Sequence, residues 1–118
     1  MIRIVRATLA VSLAALLSGC AGMITGGPLI RPGEPVGAIA VVNRTSHPIG
    51  VVAISACSAS TYGLNRLPDG VSIPSGRSYQ FQVSAGCWDV DAGAFGVGEA
   101  RQRMTVDAGR VTAYTVTD

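Results

Sequence analysis

From residue 36 onward, apolar residues fall in short runs of β-forming side chains, with a turn cluster between each run and the next. Residues 37–43 (Gly-Ala-Ile-Ala-Val-Val-Asn) and 49–56 (Ile-Gly-Val-Val-Ala-Ile-Ser-Ala) flank a five-residue turn, Arg44-Thr45-Ser46-His47-Pro48. That arrangement predicts a hairpin. Residues 77–84 alternate most cleanly. Tyr79, Phe81 and Val83 fall on one face, with Ser78, Gln80, Gln82 and Ser84 on the other. After Ala85-Gly86, the run 87–92 sets Trp88, Val90 and Ala92 inward and Asp89 and Asp91 outward, where Arg101 or Arg103 can stand opposite them. A glycine-rich loop at 93–98 leads into a strand at 99–106. Gln102 is the polar break among its apolar positions Ala100, Met104 and Val106. Asp107-Ala108-Gly109-Arg110 reads as a hairpin turn into a last strand at 111–117. Residues 58–70 form a polar loop, followed by a short edge strand at 71–73 and the turn Pro74-Ser75-Gly76.

No stretch of this part carries a sustained helical period. Six to seven short strands at this spacing predict an all-β domain over 36–118, a small antiparallel β-sandwich (Ig-like or transthyretin-like) or a small barrel.

The beginning of the chain has a different grammar. Arg3 and Arg6 precede an apolar stretch at 7–17, broken by Thr8 and Ser12 and closed by Leu17-Ser18-Gly19-Cys20. Spanning a bilayer takes about 20 apolar residues, so this run fits a signal-peptide helix better than a permanent span. Leu17-Ser18-Gly19-Cys20 resembles the lipobox of bacterial lipoprotein precursors. The resemblance implies cleavage before Cys20 and attachment of fatty chains such as palmitate to its thiol. Ala21, where an Asp would favour the inner membrane, implies lipid anchoring at the outer membrane, facing the periplasm. Each buried methylene contributes about 0.8 kcal/mol, so two or more chains hold a protein durably. Residues 1–19 are thus expected as signal peptide and 20–35 as lipidated cysteine and tether. The tether expectation rests on Gly22, Gly26, Gly27, Pro28, Pro32, Gly33 and Pro35.

That leader alters the meaning of the composition. Arg3 and Arg6 account for the whole excess of nine basic over seven acidic side chains, so the mature chain is formally neutral. Its remaining arginines are scattered, which argues against a nucleic-acid surface. The chain contains no lysine, which excludes Schiff-base and Ser-Lys chemistry. Cys57 and Cys87 remain after Cys20, and an even pair in an oxidising envelope reads as a disulfide.

Few residue sets invite chemistry. His47 is the chain's one histidine and precedes Pro48, and no Gly-x-Ser-x-Gly elbow occurs, so neither a hydrolase triad nor a multi-histidine zinc site is expected. Counted from Asp89 as a calcium loop, the sixth position is Ala94 and the twelfth Ala100, where glycine and glutamate are needed. Gly93–Gly98 lacks the Lys-Ser/Thr of a phosphate loop. No cofactor or metal is expected.

Three segments, Asn43-Arg44-Thr45, Ile73-Pro74-Ser75-Gly76 and Gly86-Cys87-Trp88-Asp89-Val90, resemble short β-domains of bacterial lipoproteins to which no activity is assigned. The sequence therefore points to a non-enzymatic envelope module that binds a protein or a cell-wall component, with Phe95, Tyr62, Ser75 and Tyr79 as candidate contacts. Two other readings compete. Ser75-Gly76-Arg77-Ser78-Tyr79 resembles the Ser-Gly-x-x-Tyr loop of lysozyme-inhibitor lipoproteins, which implies inhibition of a wall-degrading hydrolase. Asp89, Asp91 and Glu99 would serve a small carbohydrate-active enzyme.

Overall fold

A computed structural model describes residues 26–94 and 96–118. The expected signal-peptide helix, the lipidated Cys20, residues 21–25 of the tether and Phe95 lie outside the described residues.

The described chain is all-β. Its six strands are β1 (Val36–Arg44), β2 (Val51–Ala56), β3 (Ser78–Ser84), β4 (Gly86–Ala94), β5 (Gly98–Val106) and β6 (Val111–Thr117). They form two three-stranded sheets, in the orders β3-β1-β6 and β2-β4-β5, packed as a small sandwich. The predicted alternation sets its interior. Trp88, Val90 and Ala92 of β4 and Val83 of β3 are fully buried, Phe81 nearly so, and Ile39, Val41, Val52 and Ile54 meet them between the sheets.

The connections depart from the sequence reading. The segments 37–43 and 49–56 do not form a hairpin, because β1 and β2 belong to different sheets. Asn43 is the reason. Its fully buried side chain donates from Nδ2 to the carbonyls of His47 and Ile73, both at 2.8 Å, and accepts the Thr45 N–H (2.9 Å) and hydroxyl (2.7 Å) at Oδ1. The turn is thereby fastened to Ile73, and the chain crosses the sandwich instead of folding back. The expected edge strand at 71–73 reduces to one bridge, Ile73 with Ile49.

Nor does the turn at 107–110 make a hairpin. It carries the chain from β5 to the other sheet, where β6 runs parallel to β1, the single parallel pairing in an otherwise antiparallel fold. Gly37 permits this. A Cβ there would lie 2.4 Å from the Asp107 carbonyl oxygen and 2.9 Å from that of Arg110, so only glycine lets the turn rest on β1. β4 and β5 form the one true hairpin.

Residues 26–35 also correct the tether reading. They form no strand, yet they are strapped across one side of the sandwich. The Ala56 N–H donates to the Gly26 carbonyl (3.2 Å), that of Ser84 to Leu29 (2.8 Å) and that of Ala85 to Pro35 (2.8 Å). Leu29 packs on the core, and the Arg31 guanidinium stands 4.9 Å over the Trp88 ring. Glycine and proline ruled out helix and central strand here, but backbone groups still found partners on exposed sheet edges.

Arg66, in the loop that follows β2, seals the same side. Its guanidinium donates to the Ile54 carbonyl from Nε (3.2 Å) and from Nη2 (3.0 Å), and to that of Gly27 at 2.6 Å. Asn65 Oδ1 takes the Val52 N–H at 2.9 Å. The Cys57–Cys87 disulfide is present, with a Cα–Cα distance of 5.5 Å, and ties the end of β2 to the start of β4.

Two substitutions test these restraints. Asn43→Ala removes four hydrogen bonds centred on a fully buried side chain, to the His47 and Ile73 carbonyls and from the Thr45 N–H and hydroxyl, and should lower unfolding free energy by roughly 2–4 kcal/mol in denaturant titration. Replacing both cysteines by alanine removes a closed loop of sequence separation 30. The expected loss is roughly 3–4 kcal/mol by the chain-entropy argument, and a change under about 1 kcal/mol would contradict it.

Candidate functional site

The strand directions give the sandwich two distinct ends. At one lie Gly26, Ala56, the disulfide, Ala85 and the turn 107–110. The opposite end gathers the turn 44–48, the β4–β5 hairpin tip and the end of β6. There a half-open cleft of about 220 Å³ lies between the sheets. Ile49, Ala92, Ala100 and Val116 give it an apolar floor, and Thr45, His47, Glu99 and Asp118 stand at its rim. The floor is accessible because β5 presents only small or polar inner residues at this end, Gly98, Ala100 and Gln102. Gly93 closes the hairpin tightly, since a Cβ there would lie 2.4 Å from the Gly98 carbonyl oxygen. The turn bearing His47 is held by Thr45, whose hydroxyl oxygen accepts the His47 N–H (3.2 Å), and by Asp118, whose Oδ2 accepts the Ser46 N–H (3.0 Å).

Beside this cleft, the outer face of the second sheet carries the charged residues. Register places Asp89 opposite Arg103 and Asp91 opposite Arg101, where the alternation calls for arginines without assigning the pairs. Arg103 grips Asp89 with both Nε (2.9 Å) and Nη2 (3.1 Å). Arg101 divides itself between Asp91 (Nε, 3.3 Å) and Glu99 (Nη2, 2.9 Å), and its guanidinium lies 4.7 Å over the Tyr62 ring. Two carboxylates thus share one guanidinium, and Asp91 Oδ1 is buried with no hydrogen-bond partner among the described residues. Burial chiefly, and then the hydrogen bond and negative charge of Glu99, push the Asp91 carboxyl above its ordinary range, with Arg101 opposing. Glu99, followed by Asp91, holds the Arg101 proton more firmly than usual.

The candidate contacts named from sequence do not come together. Tyr62 lies half-buried against Arg101 on the charged face. Ser75 sits at the cleft-bearing end, its hydroxyl donating to the Thr45 carbonyl. Tyr79 is on the inner face of β3, its ring 4.9 Å from that of Phe81. Ser75 and Tyr79 are therefore engaged within the domain. Sequence reasoning missed Asn43, Arg66 and the cleft, since each depends on the crossing of chain segments distant in sequence. The paired signs of Asp89/Asp91 and Arg101/Arg103 were the one readable part of the site. Among the described residues no group of three His, Cys, Asp or Glu side chains is placed to hold a metal ion.

Neither a protein-family model nor a curated protein matches the chain.

Asp91 supplies a pH test. Below its ordinary pKa of about 3.9 the carboxyl is protonated folded or unfolded and contributes no difference. As pH rises, ionisation is harder in the folded state, so stability is lost through the raised folded pKa. Asp91→Asn should melt at a higher temperature than the parent at pH 7, and this gain should vanish at pH 3.5. An equal gain at both values would show that ionisation of Asp91 is not its source.

Proposed function

We propose that this chain is a non-enzymatic lipoprotein of the bacterial cell envelope, anchored through acylated Cys20, which presents the cleft-bearing end of its domain to a protein or cell-wall partner. One observation carries the binding part of this reading. The strap begins at Gly26, bonded to Ala56 at the end of the sandwich remote from the cleft. Six peptide units separate Cys20 from Gly26, a span of at most about 20 Å. An anchor at Cys20 holds the strapped end beside the lipid headgroups and turns the cleft outward. Strands of nine residues, such as β4, set the two ends roughly 30 Å apart.

The chemistry of the outward end favours adhesion. It combines an apolar floor with a rim of hydroxyl, imidazole and carboxylate groups, suited to recognising a polypeptide or an amide-rich wall polymer. Asp89 and Asp91, the acids first considered for glycan cleavage, each engage an arginine on one open sheet face instead of facing each other across a cleft. The periplasmic face of the outer membrane is the proposed address, from the leader and Ala21.

The full chain in its bacterial host tests both parts. Mass spectrometry should find residues 1–19 absent and Cys20 acylated, and Cys20→Ser should move the protein from the membrane fraction to the soluble one. A photo-crosslinking residue at His47 or Val97 should yield a discrete adduct, while one at Ser58 should not. An unmodified Cys20 thiol overturns the anchor. Adducts from Ser58 alone overturn the orientation.

A further inference from the structure

From the exposed edge of β5, we infer that two copies of this chain associate by pairing their β5 strands antiparallel about a two-fold axis at Ala100. The inference stands apart from the anchoring proposal and does not rest on it.

The backbone comes first. The Thr105 carbonyl turns away from β4 to accept the Thr112 hydroxyl at 3.0 Å. By the alternation of an antiparallel pair, Arg103, Arg101 and Glu99 aim their N–H and C=O groups the same way. No described segment pairs with that edge. The side of the sandwich formed by β2 is treated differently: Asn65, Arg66 and Gly26 bond the outward groups of Val52, Ile54 and Ala56. One edge of the second sheet is closed and the other is left as a template.

Charge identifies the occupant. The outer edges of β3 and β6 carry uncharged outward residues, Gln80 and Gln82, and Ala113 and Thr115, which select no partner. β5 alone carries both signs, Glu99 and then Arg101 and Arg103. Antiparallel pairing about Ala100 sets Glu99 of each copy opposite Arg101 of the other. The two central rows across the joined sheet then alternate in sign, with Arg101 between Asp91 of its own chain and Glu99 of the second copy. That supplies Glu99 with a second cation, where at present it shares one with Asp91. A shift by one residue would put outward backbone groups against inward ones. Centring on Arg101 instead would oppose two Arg101 side chains. A charged edge of this kind resists unselected strands while accepting its own copy.

The geometry also provides a reporter. Ala100 would meet its symmetry mate at a position without backbone hydrogen bonds, where Cα atoms lie about 4.5 Å apart, within disulfide reach. Gln102 would meet Gly98 instead and could not bridge to itself. Full-length chains bearing Ala100→Cys or Gln102→Cys, in intact host cells under mild oxidation, should differ: the first gives a covalent dimer on a non-reducing gel and the second does not. Adding Glu99→Arg to Ala100→Cys should cut the dimer by about tenfold, since two attractive pairs become repulsive. Adding Arg101→Glu to that variant should restore it. Melting curves confirm folding, and if Glu99→Arg unfolds the domain, Arg101→Glu alone serves as the disrupting change. Equal crosslinking from both cysteines, no dimer from folded Ala100→Cys, or failure of the double swap to restore it overturns the inference.

Discussion

The indole of Trp88 is the contact on which the two-sheet arrangement depends. Its sheet and the facing one share no strand, so no ladder of backbone bonds fixes one against the other. Trp88, wholly buried on β4, donates from Nε1 to the Ser84 carbonyl of β3 at 2.8 Å. That bond satisfies the ring's one polar group and fixes its orientation between the layers. Leu29 and Arg31 complete its enclosure, and Ser84 receives the strap through both its N–H and its hydroxyl. A domain with one Trp, three Tyr and two Phe in its whole sequence has few large side chains to spread over its core. The fold therefore concentrates its apolar contact at this ring and reinforces the neighbouring end with the disulfide.

Sealing one side of the sandwich leaves the opposite end loose. The strap, Arg66 and the Cys57–Cys87 bridge all restrain the end near Ala56. At the far end Asn43, Ser75 and Asp118 organise the turn but do not draw β5 toward β6. Small residues on β5 then leave the space between the sheets unfilled, and the cleft follows from that shortage of side-chain volume.

Strand existence, and which face of each strand is buried, were legible in the sequence because period-two alternation reports burial directly. Tyr79, Phe81 and Val83, and the Trp88-Val90-Ala92 set, show this, and the opposite charges on adjoining runs indicated which strands face each other without choosing between Arg101 and Arg103 for each aspartate. Connectivity was not legible. Residues 49–56 are apolar almost throughout, so their pattern cannot say which sheet they join. The turns at 44–48 and 107–110 have hairpin composition but are claimed by partners elsewhere, Ile73 and Gly37 respectively. The strap was hidden for a related reason. Glycine and proline forbid regular structure without forbidding attachment.

The parallel union of β1 with β6 also bears on how the molecule reaches its final shape. These strands stand at opposite ends of the domain sequence, yet β1 is the centre of its sheet and lacks one neighbour until β6 arrives. Only the β4–β5 hairpin can form from nearby residues, and every other pairing requires closure of a long intervening loop, which slows collapse. A chain delivered amino end first would keep its central strand half-paired until β6 became available. The sheet built on β1 is thus completed late, when its last strand joins its first.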